Sequence, residues 1–214
     1  MKEKKWILVI MGLLIAICSC EKDKSIQHLR LTLQPDGPTG KDAVFSLIVP
    51  NNNYASLPDI HLYAWTQGGI LNVNRVAINF NLSSIPSGAK IDSAFLSLYF
   101  NETSIYGTQH SDDNDFFIQR ITSPWDEKTV TWNNQPISTE QNQVSISKST
   151  LATQDFPDMN VTDLVQDMIK DKANSFGFLL KLHDEVPYKS LFFASSNNQD
   201  PTLRPKFVVY YTVN

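Results

Sequence analysis

The 214-residue chain sets 22 acidic against 18 basic side chains, a net charge of −4. That balance argues against a nucleic-acid binder, which must present a basic face to the phosphates. It also argues against a clamp for polyanions built on overall charge, while leaving room for a local basic groove.

The N-terminus carries a basic head, Lys2, Lys4 and Lys5, followed by an apolar stretch from Trp6 to Cys18. A spanning helix needs about 20 apolar residues, so this shorter stretch predicts the core of a cleaved signal peptide. It ends in Ile17-Cys18-Ser19-Cys20, which has the form of a lipobox: aliphatic, tolerant, small, cysteine. Ser19 fits the small-residue position, and Cys20 supplies the thiol that accepts diacylglycerol; Cys18 fits worse because bulky Ile17 precedes it. The expected division is a signal peptide at 1–19, a lipidated Cys20 with its tether at 20–39, and one domain at 40–214. The tether begins Glu21-Lys22-Asp23-Lys24, a charged run that resembles the surface-export signal of outer-membrane lipoproteins. This predicts an outer-membrane protein facing outward, held by its lipid alone; a plain solvated linker facing the periplasm is the competing reading. Both cysteines lie in this segment, so the domain holds no internal disulfide and its stability must come from a packed core.

Period-2 alternation then recurs along the chain. Residues 60–65 set Ile60, Leu62 and Ala64 on one face and His61, Tyr63 and Trp65 on the other. Residues 74–81 and 91–100 alternate in the same way, separated by a Ser-Pro-Gly loop at 83–88. Further strands are predicted at 44–49, 115–121, 128–132, 143–147, 176–182, 190–195 and 206–213, divided by prolines. One helix is predicted at 163–170, with apolar residues at 164, 165, 168 and 169 and Thr162 or Asp163 as its cap. Many short strands with one short helix predict an all-β antiparallel sandwich, of jelly-roll type, with a barrel as the alternative.

Several segments recur in a fixed order: Asn74-Arg75…Phe80-Asn81-Leu82…Ile85-Pro86, then Gly88-Ala89-Lys90-Ile91-Asp92-Ser93-Ala94. Next come Trp125-Asp126-Glu127 with Thr131-Trp132-Asn133-Asn134-Gln135-Pro136, then Asn160-Val161-Thr162-Asp163-Leu164. Phe176-Gly177-Phe178, Phe193-Ala194-Ser195-Ser196 and Arg204-Pro205-Lys206-Phe207 close the series. This order, over roughly residues 40–213, resembles the DNRLRE domain, related to carbohydrate-binding module family 96. The resemblance implies a jelly-roll sandwich on secreted and cell-surface proteins, binding polysaccharide such as alginate in some members and structural in others, with no catalysis. Members commonly have Phe-Asp-Leu where this chain has Phe80-Asn81-Leu82, which removes any role that Asp has in relatives.

Trp125 and Trp132 lie inside the recurring segment and are expected to pack instead of binding. His61, Tyr63 and Trp65 offer ring faces about 6.6 Å apart along one strand, a spacing suited to stacking on a polysaccharide. Cover by the opposite sheet, or by the Gln67-Gly68-Gly69 loop, is the competing reading. Lys181, His183 and Tyr188 are candidates to contact the same glycan, the two bases favouring an acidic sugar. The run Asp112-Asp113-Asn114-Asp115 lacks the spacing of a calcium loop, so Asp112, Asp113 and Asp115 are only weak metal candidates and a solvated loop is expected. The chain has no HExxH pair, no nucleophile elbow and no phosphate-binding glycine loop, and it calls for no cofactor. The expected function is a non-catalytic polysaccharide-binding module; a structural or adhesive envelope module is the alternative. Cys20→Ala should abolish acylation and membrane retention, and radiolabelled lipid still appearing on that variant would move the anchor to Cys18 or remove it.

Overall fold

The computed structural model describes residues 25–35, 40–111 and 113–213. The signal segment, Cys20 and Asp112 lie outside them. The predicted alternation becomes β1 (Gln27–Leu33), β2 (Gly40–Ser46), β3 (Asp59–Gln67), β4 (Ile70–Phe80), β5 (Lys90–Leu98) and β6 (Phe116–Ile121). There follow β7 (Ser138–Ile146), β8 (Phe156–Asn160), β9 (Phe178–Leu182), β10 (Lys189–Ala194) and β11 (Lys206–Val213), with α1 (Thr162–Lys170) after β8. Two antiparallel sheets form a sandwich: β1-β11-β5-β8, and β10-β3-β4-β9-β6-β7 with β2 also paired to β4. β1 lies within the stretch read from sequence as tether, yet pairs along its whole length with β11, from Gln27 opposite Val213 to Leu33 opposite Phe207.

Alternation decides which side chains meet between the sheets. Val44, Ile60, Leu62, Val76, Ile78, Leu96, Phe116, Phe178, Phe193 and Phe207 belong to one buried cluster, whose rings interlock, Phe80 stacking on Phe207 at 4.8 Å. The intervening residues of β2, β4 and β9, namely Ala43, Phe45, Ala77 and Leu179, form a second cluster with Ile121 and Val130. Trp125 and Trp132 pack on this second cluster. Here the structure corrects the expectation of a strand at 128–132, which is a turn followed by coil. Asp126 gathers it: its carboxylate accepts from the Lys128 amide at 2.9 Å, and its carbonyl accepts from the Val130 amide at 2.9 Å. Local hydrogen bonding to an Asp thus outcompetes the β propensity of Thr-Val-Thr-Trp. The indole of Trp125 donates to the Phe176 carbonyl at 2.8 Å, and the Arg75 guanidinium lies 4.9 Å over Trp132 while pairing with both Glu185 oxygens at 2.6 and 2.7 Å.

The helix forms where expected and buries Leu164, Val165, Met168 and Ile169, but its cap is not the predicted one. Val161 holds the cap position without a side-chain bond. The Thr162 hydroxyl instead accepts from the Ala94 amide at 3.0 Å and donates to Asn160 at 2.6 Å, while Gln166 accepts from the Ile91 amide at 3.0 Å. Helix side chains therefore satisfy the backbone of β5 beside its pairing with β8, as a buried sheet edge requires.

Asp42, 1% exposed on β2, accepts from the Ser196 amide at 2.7 Å. Burial pushes its carboxyl up to about 7 against that hydrogen bond. The unfolded chain ionises near pH 4 and the folded one resists, so stability falls as pH rises from about 4 to about 7. The span corresponds to about 4 kcal/mol at most. Asp42→Asn keeps an acceptor for Ser196 and removes the ionisation; between pH 5 and 8 it should lose less of its urea midpoint than the parent, and an equal loss in both would reject this account.

Candidate functional site

β4 serves two partners on the way to the cleft. Asn74 is the residue where they meet, standing opposite Ser46 of β2 and opposite Tyr63 of β3. Its neighbour in the same pattern, Asn72, stands opposite Trp65. The hairpin that fixes this register turns at Gly68 and Gly69, whose φ values of +58° and +81° suit glycine and match the tight turn of a two-residue loop. A cleft of about 410 Å³ opens at this seam, lined by Val44, Ser46, Ile48, Val49, Tyr54, Leu57, His61, Tyr63, Gln67, Asn72, Asn74 and Tyr106. Its size lies within the range typical of ligand sites, roughly 300–1,000 Å³.

A connected ladder of rings runs outward from it: Tyr63, Tyr106 and His61 line the cleft, whereas Trp65 and Tyr188 stand beyond its lining. Tyr63 stacks on Trp65 at 6.0 Å, and Tyr188 sets its edge against Trp65 at 5.0 Å. Tyr106 stacks on His61 at 4.6 Å, with Phe192 against the same imidazole at 6.1 Å. Of the three rings expected to form an open face, Tyr63 and Trp65 are half-buried, but His61 is only 3% exposed. Its cover is neither the opposite sheet nor the glycine turn but Tyr106, from the loop after β5. Tyr188 is 61% exposed and is held at φ +77°. A bulky residue pays of order 1–3 kcal/mol for that backbone region, a strain that clusters at working sites.

The loop carrying Tyr106 is pinned at both ends. At its start Asn101 donates to the buried Asp59 carboxylate and accepts from the Thr103 amide at 3.2 Å. At its end His110 accepts from the Phe192 amide at Nδ1, 3.2 Å, so Nε2 carries the proton toward the Gln154 carbonyl at 2.9 Å. Between them Gly107 lies so close to Phe192 that a Cβ there would overlap the ring.

Two buried polar atoms of the lining have no protein partner, Nδ1 of His61 and Oδ1 of Asn74. Such atoms cost about 1–3 kcal/mol each unless something bonds to them, and both belong to residues that line the same cleft. Asn72 is already used, its carbonyl oxygen accepting from the Ser46 hydroxyl at 3.1 Å and the Ile48 amide at 3.3 Å.

The remaining sequence candidates lie elsewhere. Lys181 stands opposite Phe117 on β6. His183 rests its ring against Phe117 at 4.7 Å, with Asp115 at 3.7 Å and Asp184 at 3.5 Å. Neither lines the cleft. Asp113 pairs with Lys148 at 2.6 Å, and among the described residues no three His, Cys, Asp or Glu side chains are grouped to hold a metal. Sequence reading missed Tyr54 and Tyr106, lone aromatics in loops with no periodic partner to draw attention to them. A second hollow of about 520 Å³ beside Asn101, Asp155 and Asp200 offers no exposed ring, and the Asp155 carboxylate is committed to the Phe100 amide at 2.8 Å.

Compared with known proteins, the chain matches the family model described as carbohydrate-binding module family 96 over residues 39–210. No curated protein matches it. Burial lowers the His61 imidazole to about 4, so the fold loses stability as pH falls from about 6.5 toward 4, by about 3 kcal/mol in all. His61→Phe, which keeps a ring between Tyr106 and Phe192, should shrink that acid-side loss in thermal melts at pH 7 and 4.5; an unchanged loss would mean that His61 protonates freely in the fold.

Proposed function

The chain belongs to carbohydrate-binding module family 96, and from that premise we propose that it is a non-catalytic polysaccharide receptor whose sugar site is the ring-lined cleft. The observation that carries this reading is the pairing of stacking faces with unanswered polar atoms. Tyr63 and Tyr106 are partly or largely exposed in the same lining as His61 and Asn74, whose Nδ1 and Oδ1 lack partners, and Trp65 and Tyr188 continue the ring face beyond it. A pyranose presents the complement, a C–H face for the rings and hydroxyls that donate and accept. Among the described residues the lining contains no carboxylate, whereas glycoside hydrolysis ordinarily needs two flanking the scissile bond; this supports capture without cleavage.

The lipobox at Cys20 and the charged tether behind it support a lipid anchor in the outer membrane with the domain turned outward, as a DNRLRE-type surface module. β1 begins close behind that tether, at Gln27, in the sheet that does not carry the cleft.

Tyr188 separates binding from folding. Tyr188→Gly relieves the positive φ and should hold or raise the melting temperature, while Trp65→Ala removes a ring that is only half-buried. Each should weaken glycan binding about thirtyfold on a polysaccharide array, the 2 kcal/mol or more that an interface aromatic often contributes. Unchanged binding in both variants, or a collapse of the Tyr188→Gly fold, would remove the ladder from the site.

A further inference from the structure

We infer that the cleft takes an uncharged glycan, one recognised through hydroxyls and ring faces and not through uronate or sulfate groups; this rests on the cleft being the sugar site. The polar lining consists of Ser46, Gln67, Asn72, Asn74, His61 and the hydroxyls of Tyr54, Tyr63 and Tyr106, with no Lys, Arg, Asp or Glu among the described lining residues. A sugar carboxylate in such a place would lose its water without meeting a cation, a cost far above that of burying a hydroxyl.

The basic side chains of the surrounding strands are engaged elsewhere. Arg75 is held by both oxygens of Glu185, Lys41 lies 3.9 Å over Trp125, and Lys189 pairs with Asp184 at 3.5 Å. Lys181 and His183, the bases expected to favour an acidic sugar, stand beside Phe117 and outside the lining.

The unpartnered atoms point the same way. Asn74 Oδ1 is an acceptor, which a hydroxyl satisfies and a carboxylate oxygen opposes. His61 stays neutral at physiological pH because burial holds it near 4, so its Nδ1 offers a neutral bond. Burial, and after it the neighbouring Tyr54 and Asp59, push the Tyr106 hydroxyl up, so at neutral pH it is an uncharged donor and acceptor.

The test is affinity electrophoresis of the full-length chain through gels holding mixed-linkage β-glucan, galactomannan or xylan, or else alginate or polygalacturonate. The parent is run beside Tyr63→Ala and Asn74→Leu, each checked by its melting temperature, with Tyr63→Phe as the variant that keeps the ring. At least one neutral gel should retard the parent. That retardation should hold between about 0.05 and 0.5 M salt, a range over which attraction between exposed charges is largely screened. It should drop by roughly tenfold or more in Tyr63→Ala and Asn74→Leu and survive in Tyr63→Phe. Retardation by the acidic gels alone, lost in those same two variants, would overturn the uncharged-glycan inference and leave the cleft as the site. Retardation that neither variant alters would overturn the cleft itself, and so would the absence of retardation in every gel.

Discussion

The cleft exists because β4 is longer than any strand beside it. Its eleven residues outrun each of its three partners, so its first half pairs with β3 and its second half with β2 and β9. Backbone groups must be paired wherever water is excluded, and β4 meets that demand by changing partners along its length. Asn74 sits at the change and faces side chains from two strands at once. The turn at Gly68-Gly69 then fixes which ring of β3 stands over which side chain of β4, since a slip by one residue would exchange the two faces of the hairpin.

No disulfide stiffens the domain, both cysteines falling before residue 21. Buried polar pairs take over at the loop ends. His110, 6% exposed, ties the Phe192 amide to the Gln154 carbonyl. Asn114, fully buried, donates to the Ser111 and Ser190 carbonyls and accepts from the Ser149 amide at 2.8 Å. Asp42 reaches the Ser196 amide across the fold. A network of this kind is worth little net energy per bond, yet each member is costly to leave unpaired, so it specifies one loop arrangement among many.

The strands were legible wherever alternation met burial. β3, β5 and β10 declare themselves through Ile60-Leu62, Ala94-Leu96 and Leu191-Phe193, all of which reach the core. β7 was seen only at its C-terminal end, because Ser138 to Gln143 are polar on both faces and half-buried at most. β8 is five residues with a proline second, and β1 owes its pairing to β11 more than to its own exposed side chains. At the site, Tyr63 and Trp65 could be placed on one face by counting, and Tyr188 joined them across the β3–β10 pair. The burial of His61 could not be read, since its cover arrives from a loop more than forty positions later. The Trp125–Pro136 segment, the most recognisable stretch of sequence, builds the second cluster and its hydrogen bonds. It marks the fold and contributes nothing to the lining.

The pinning of the Tyr106 loop separates two jobs that many binding proteins mix. Asn101 and His110 carry the attachment to Asp59 and to the Phe192 amide, and buried Ser104 joins the first knot at the same Asp59 carboxylate. Glu102, Ile105, Thr108 and Gln109 point outward between the knots, so side chains at these four positions can be exchanged without disturbing either one, much as a rigid sandwich presents variable loops. Tyr106 is different, because its ring lies on His61 and its loss would open the imidazole to water. The loop therefore divides residue by residue into a fixed part that folding depends on and a rim that is free to vary.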